Sequence, residues 1–105
     1  MPIIRTTNGI VTQINVFTVP RGGQDGMIDQ LAEAAAIARA EPGWISASLH
    51  RSLDGTRVVN YAQSESMAAA QAVIARLRDA GMFERNARFG EAHPGLYEVV
   101  RTFER

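Results

Sequence analysis

Residues Trp44 to Gln63 constrain the fold more than any other stretch of the chain. Two runs with apolar residues at alternating positions flank Asp54-Gly55. Asp-Gly between such runs signals a β-hairpin. His50 and Asn60 sit inside the strand patterns, away from the tip. A histidine and an asparagine in those places must face a pocket, a partner or water. A three-residue loop, Leu53-Asp54-Gly55 with Gly55 left-handed, pairs Ser52 with Thr56, His50 with Val58 and Ser48 with Asn60. Side chains alternate along a strand. This register therefore puts Trp44, Ser46, Ser48, His50, Val58, Asn60 and Ala62 on one face. Ile45, Ala47, Leu49, Val59 and Tyr61 take the other. A two-residue loop would slip the register and part His50 from Asn60. The three-residue loop, with the two residues on one face, is the expectation.

Length and charge narrow the function classes. The 105 residues read as one domain, 1–105, large enough to bury a core without staples. There are no cysteines, which excludes disulfides, thiolate metal sites and cysteine nucleophiles. Formal net charge is zero. With no basic run, neither nucleic acid nor an anionic membrane is an expected partner. No apolar run is long enough to span a membrane, and no leader pattern opens the chain. A cytoplasmic location is the expectation.

The remaining elements follow from periodicity and breakers. Met1 to Asn8 is a short lead without pattern. A first strand runs from Ile10 to Val19 and stops at Pro20. The first helix covers Gln24 to Ala40, with Ile28, Leu31, Ala35 and Ala38 at helical spacing. Glu41-Pro42-Gly43 ends it. A second helix covers Glu65 to Asp79 behind serine caps, with Met67, Ala70, Val73, Ile74 and Leu77 on one stripe. Ala80-Gly81 breaks it, and Met82 to Gly90 reads as a further short helix. His93-Pro94-Gly95 reads as a turn, and Leu96 to Phe103 as the last strand.

The order β-α-β-β-α-β predicts an α+β, ferredoxin-like fold: an antiparallel sheet with both helices on one face. Strand one is apolar on both faces, with Ile14 and Val16 on one side and Phe17 and Val19 on the other. Helices cover only one of those faces. A homodimer packed sheet against sheet would cover the second.

The segments Leu49-His50-Arg51-Ser52-Leu53-Asp54-Gly55-Thr56-Arg57-Val58-Val59-Asn60-Tyr61-Ala62-Gln63 and His93-Pro94-Gly95-Leu96-Tyr97-Glu98-Val99-Val100 carry a likeness to a known family. Over nearly its whole length the chain resembles the antibiotic biosynthesis monooxygenase group of dimeric α+β barrels, most nearly the small quinone-forming monooxygenases of aromatic polyketide pathways. The resemblance implies oxidation of a polycyclic phenol or anthrone-like ring to a quinone by O2, without metal, flavin or haem. Partners would be a small aromatic substrate, O2 and a second copy of the chain. The family's strand asparagine and strand histidine match Asn60 and His50. An amide can stabilise a developing oxyanion, and a neutral imidazole can take a proton near neutral pH. Trp44, Tyr61, Ser64 and Arg85 complete the expected site as substrate contacts. The chain departs from the pattern in three places. The family's tryptophan, four residues past the asparagine, falls on Ser64. Its tyrosine early in helix two falls near Ala70, and its later arginine lies beside Arg85. These departures point to a pocket wider and less aromatic on that side, and to a different substrate or to lost activity.

Other readings of the same residues stand beside these. Asn60 could be a core amide satisfied by backbone groups, and His50 a rim histidine. Trp44 could be a core or pocket wall, and His93 a turn residue. Met82, Phe83 and Phe89 read as core, Arg85 and Arg88 as solvated helix charges. Asn15 lies where haem-degrading relatives carry an asparagine. No histidine lies between His50 and His93 to hold a haem iron, so haem degradation is not expected. The alternative to an oxygenase is a dimeric α+β barrel that binds a small molecule without this catalysis. A pocket lined by Asn60 and His50 favours the first; a cavity filled by Trp44, Met67 and Phe83 favours the second.

Overall fold

The computed structural model describes Ile4 and residues 9–105, so the expected lead over Met1 to Asn8 lies, Ile4 apart, outside the described residues. Alternation of large side chains makes β1 (Val11–Thr18), and Pro20 closes it. Five alanines between residues 32 and 38 favour α1 (Gln24–Ala38), where Asp25 lies in the positive first turn. The hairpin is β2 (Trp44–Arg51) and β3 (Arg57–Ser64). Ser66 caps α2 (Met67–Asp79), its side chain accepting from the Ala69 N–H at 3.0 Å. Gly81, left-handed at φ +75°, separates α2 from α3 (Met82–Ala87). The chain then forms β4 (Glu91–Tyr97).

The four strands are antiparallel neighbours in the order β2-β3-β1-β4. With the three helices this is the ferredoxin-like α+β fold that the element order predicts. Phe17, Val19, Met27, Leu31 and Val58 form the core, with Ile28 and Leu49 packed against it. The sheet face bearing Phe17 and Val58 is therefore the one the helices cover. Ile14, Val16, Val59 and Tyr61 point the other way.

The hairpin register differs from the expectation. His50 pairs with Val59, Ser48 with Tyr61, and Leu49 with Asn60. Asn60 thus joins Ala47, Leu49, Val58 and Ala62 on the helix side, while His50 shares the opposite face with Val59 and Tyr61. The cause is in the loop. Asp54 Oδ1 accepts from Ser52 Oγ (2.8 Å), Thr56 Oγ1 (2.7 Å) and the Thr56 N–H (3.1 Å). Ser52 Oγ accepts from the Arg57 N–H at 2.8 Å. Thr56 is drawn into the turn instead of pairing with Ser52. The loop becomes Leu53 to Thr56, and one added residue inverts the parity of β2 against β3. A bulge between Trp44 and Ser46 then inverts it locally once more, so that Trp44 stands opposite Ser64 on the helix side.

The last strand also begins earlier than its apolar alternation suggests. His93-Pro94-Gly95 lies inside β4, not in a turn, and residues 98–103 are outside any strand. A proline is tolerated there because β4 is an edge strand. Helix two places Ala69, Ala70 and Val73 inward, but leaves Met67, at its first turn, exposed.

Candidate active site

Between the sheet and helices α2 and α3 lies an open cavity of about 580 Å³. This is within the range of small-molecule sites. Its walls are Gln13, Asn15, Phe17, Ala92 and Pro94 from the sheet side, and Ile74, Phe83, Asn86 and Ala87 from the helices. A smaller recess of about 30 Å³ shares Gln13 as a wall and is lined by Trp44, Ala47, Asn60, Ala62, Val73 and Leu77, with three alanines of α1. Asn15 and Asn60 face each other across the β1/β3 pair. Directly opposed Cβ atoms in such a pair lie about 5 Å apart. The two amides are therefore neighbours on one apolar-walled surface.

Their hydrogen bonding differs. Asn15 Oδ1 accepts from the His93 backbone N–H at 3.1 Å, which ties β1 to the edge strand beside Pro94. Asn60 Oδ1 is buried and has no hydrogen-bond partner. A buried acceptor left unmatched costs about 1–3 kcal/mol. Thr12 Oγ1 and Ser46 Oγ are also buried without a partner, but of the three residues only Asn60 lines the cavity or its recess, where the atom is a place for a ligand hydroxyl. On α3, Asn86 is buried and its Oδ1 accepts from Gln30 Nε2 at 3.2 Å. Gln30 lies on the buried stripe of α1, and its Nε2 also contacts Met82 Sδ at 3.6 Å.

The expected site residues separate into two groups. Asn60 and Trp44 line the recess. Ser64 is buried directly across from Trp44, so an indole walls the recess at the place where Ser64 lacks a ring. His50 and Tyr61 lie on the far face of the sheet, and His50 meets Ser48 Oγ at 3.2 Å. Arg85 is turned outward, its guanidinium 2.6 Å from Glu33 Oε2. Neither His50 nor Arg85 lines the cavity. Met67 is absent from its walls and Phe83 forms one side only, so the cavity is not filled from within. Glu91 is the one ionisable residue among the cavity walls, and its side chain is 77% exposed.

Gln13, Gln30 and Asn86 went unnoticed in the sequence. Gln30 and Asn86 each carry a signal. Gln30 falls in phase with Met27, Leu31 and Ala34 on α1, and Asn86 is four residues past buried Met82. A polar residue in phase with a buried stripe needs a partner, and these two supply each other's.

Residues 10–74 match the family model described as antibiotic biosynthesis monooxygenase. Tetracenomycin-F1 monooxygenase of Streptomyces glaucescens is 34% identical over 104 residues, covering 98% of this chain and 93% of that protein. The monooxygenase from the gene ActVA-Orf6 of Streptomyces coelicolor, solved in complex with nanaomycin D, is 30% identical over 92% of each chain, with a TM-score of 0.76. SnoaB of Streptomyces nogalater, a cofactor-independent oxygenase, has the same fold at a TM-score of 0.81 and 22% identity, over 92% of this chain and 99% of its own. The chain belongs to the antibiotic biosynthesis monooxygenase family.

Proposed function

We propose that this protein oxidises a polycyclic phenol or anthrone-like ring to a quinone with O2 and without a cofactor. The observation that carries the reading is the buried, partnerless Asn60 Oδ1 beside Trp44, on the same sheet face as an open cavity of about 580 Å³. The alternative, a dimeric α+β barrel that binds a small molecule without this catalysis, is the reading that a cavity filled by Trp44, Met67 and Phe83 favours, and of these only Phe83 lines the cavity. The relatives named above act in the same direction: one is a tetracenomycin-F1 monooxygenase, another holds nanaomycin D, and a third is a cofactor-independent oxygenase.

The chemistry suits neutral amides. The ring loses a proton and its carbanion-enolate becomes electron-rich. O2 accepts electrons from it, one oxygen atom stays on the ring carbon, and the other leaves as water. A CH2 group and O2 thus become C=O and H2O. Asn60 orients the ring by accepting a substrate hydroxyl on Oδ1, while its Nδ2 group is the donor that steadies the oxygen on which charge develops. The apolar walls from Phe17, Ile74 and Phe83 hold the planar ring and exclude water. His50 is not placed to take the proton within one chain.

A homodimer belongs to the same reading. Ile14, Val16, Val59 and Tyr61 are half-buried on the sheet face that none of the described helices covers. A second copy packed on that face would bury them and bring the two sheets together.

Oxygen uptake by metal-free protein, measured over a panel of anthrones and naphthols, tests the proposal. Uptake with growth of a quinone absorption band is expected for at least one ring. Neither uptake nor binding by any of them would overturn it.

A further inference from the structure

Two cavity amides are held in a fixed sense by their own hydrogen bonds. Gln30 Nε2 contacts both Met82 Sδ (3.6 Å) and Asn86 Oδ1 (3.2 Å). A thioether can only accept, so the end of Gln30 that faces it is the NH2 group. The atom of Asn86 that meets this NH2 is then its oxygen. Asn86 is left with Nδ2 for the cavity it lines. Asn15 is fixed in the same way from another element. Its Oδ1 is engaged by a backbone N–H, which can only donate. Asn15 too has Nδ2 left for the cavity. Asn60 shows the reverse sense, with an acceptor unmatched.

We propose that Asn86, positioned by Gln30, and Asn15, positioned by the His93 backbone, are specificity residues whose Nδ2 donors select a ligand bearing a ring carbonyl. The inference rests on the cavity being the substrate site. It adds a polarity to that site: two donors on the large cavity for a carbonyl oxygen, one acceptor in the recess for a hydroxyl. A planar keto-phenol suits both ends, whereas a ring with hydroxyls alone offers the donors only the weaker acceptor of a phenolic oxygen. The upstream reaction that supplies such a ligand must therefore leave a ketone on the closed ring system.

The test compares two rings of one outline under anaerobic conditions. One is 1,8-dihydroxyanthraquinone. The other is 1,8-dihydroxyanthracene, which keeps the hydroxyls and lacks the carbonyls. Quenching of Trp44, the single tryptophan, reports binding of each. Each donor is expected to favour the carbonyl ring by roughly three- to tenfold. In N86D an oxygen replaces the Nδ2 donor, and the affinity ratio should fall accordingly while the anthracenediol still binds. Q30M leaves Asn86 in place but removes what holds it, and should lower the ratio part of the way. N15D should act as N86D does, from the other wall. The ratio is taken within each variant, so partial loss of folded protein cancels. A wild-type ratio near one, or a ratio unmoved in all three variants, overturns the donor assignment while leaving the oxygenase reading in place. Failure of both rings, and of every ring in the oxygen-uptake panel, to bind at all removes the oxygenase reading itself.

Discussion

Replacing Asn60 with leucine separates function from stability. Asn60 Oδ1 is buried without a partner, in a recess otherwise walled by Trp44, Ala47, Ala62, Val73, Leu77 and alanines of α1. The free protein carries the desolvation cost of that oxygen, about 1–3 kcal/mol. Leucine keeps the branching of asparagine at Cγ without a polar atom, its surroundings are apolar, and the recess of about 30 Å³ beside residue 60 takes up part of its larger volume. N60L should therefore stabilise the protein by about 1 kcal/mol or more. For a domain of this size 1 kcal/mol raises Tm by about 4–8 °C. Activity should move the other way, because loss of one oxyanion donor costs about 10²–10³ in rate. The assay is thermal unfolding at fixed protein concentration, paired with initial rates of oxygen uptake. A dimer makes Tm depend on concentration, so the variants must match. A fall in Tm, with activity lost only in proportion to folded protein, would show that the amide holds the strands and would refute the argument.

Three further outcomes follow from particular contacts. V59D places a charge among Ile14, Val16 and Tyr61 on the helix-free sheet face, and should convert a sedimenting dimer into a monomer. G43A should destabilise by about 1–3 kcal/mol from backbone strain alone, since Gly43 has φ +88°, and its new Cβ would lie 2.6 Å from Ala69 Cβ; denaturant unfolding measures it. The side-chain hydrogen bonds from Thr56 and Ser52, then the Thr56 N–H, hold the Asp54 carboxyl well below the usual carboxylate range. A lowered folded value contributes stability above the ordinary pKa of about 4, lost as pH falls through the folded value. Thermal melts from pH 6 down to pH 2 should thus lose less in D54N than in the wild type over the acid end.

How much was legible in the sequence depends on the range of the cause. Element order, the edge-to-edge alternation of β1 and the α+β class rest on local periodicity, and all three stand in the structure. So does the placing of Asn60 inside a strand. Its partner was misplaced because facing depends on a single residue of loop. Asp-Gly marks the hairpin whatever its length, but the length here is set by Asp54 and Ser52 gathering Thr56 and Arg57. That is a side-chain network, not a turn propensity. Pro94 misled for a related reason. Pro-Gly signals a turn, and only the sheet order, with β4 at the edge, makes a strand proline acceptable. Helix two shows its stripe in the sequence, but which end of it reaches the sheet is a matter of tertiary packing, and Met67 lies exposed.

The parity change in β2 alters the chemistry more than the fold. With His50 on Asn60's face, an imidazole base would stand beside an oxyanion donor, and the protein's own titration would set the pH profile. With His50 on the far face, the polar walls of the cavity are Gln13, Asn15, Asn86 and, in the adjoining recess, Asn60, none of which titrates, and the one ionisable wall residue, Glu91, is turned largely to solvent. Amide dipoles keep their direction and strength across the whole range in which a phenol or anthrone ionises. On the proposed function, such a site would lower the energy of the anion without having to accept its proton in a particular residue. Such a site would be selective for rings acidic enough to ionise within it, and the dependence of rate on pH would follow the acidity of the ring and not that of a histidine. Rates for a series of rings of graded acidity should rise together with the anion fraction, and H50A should leave that relation unchanged.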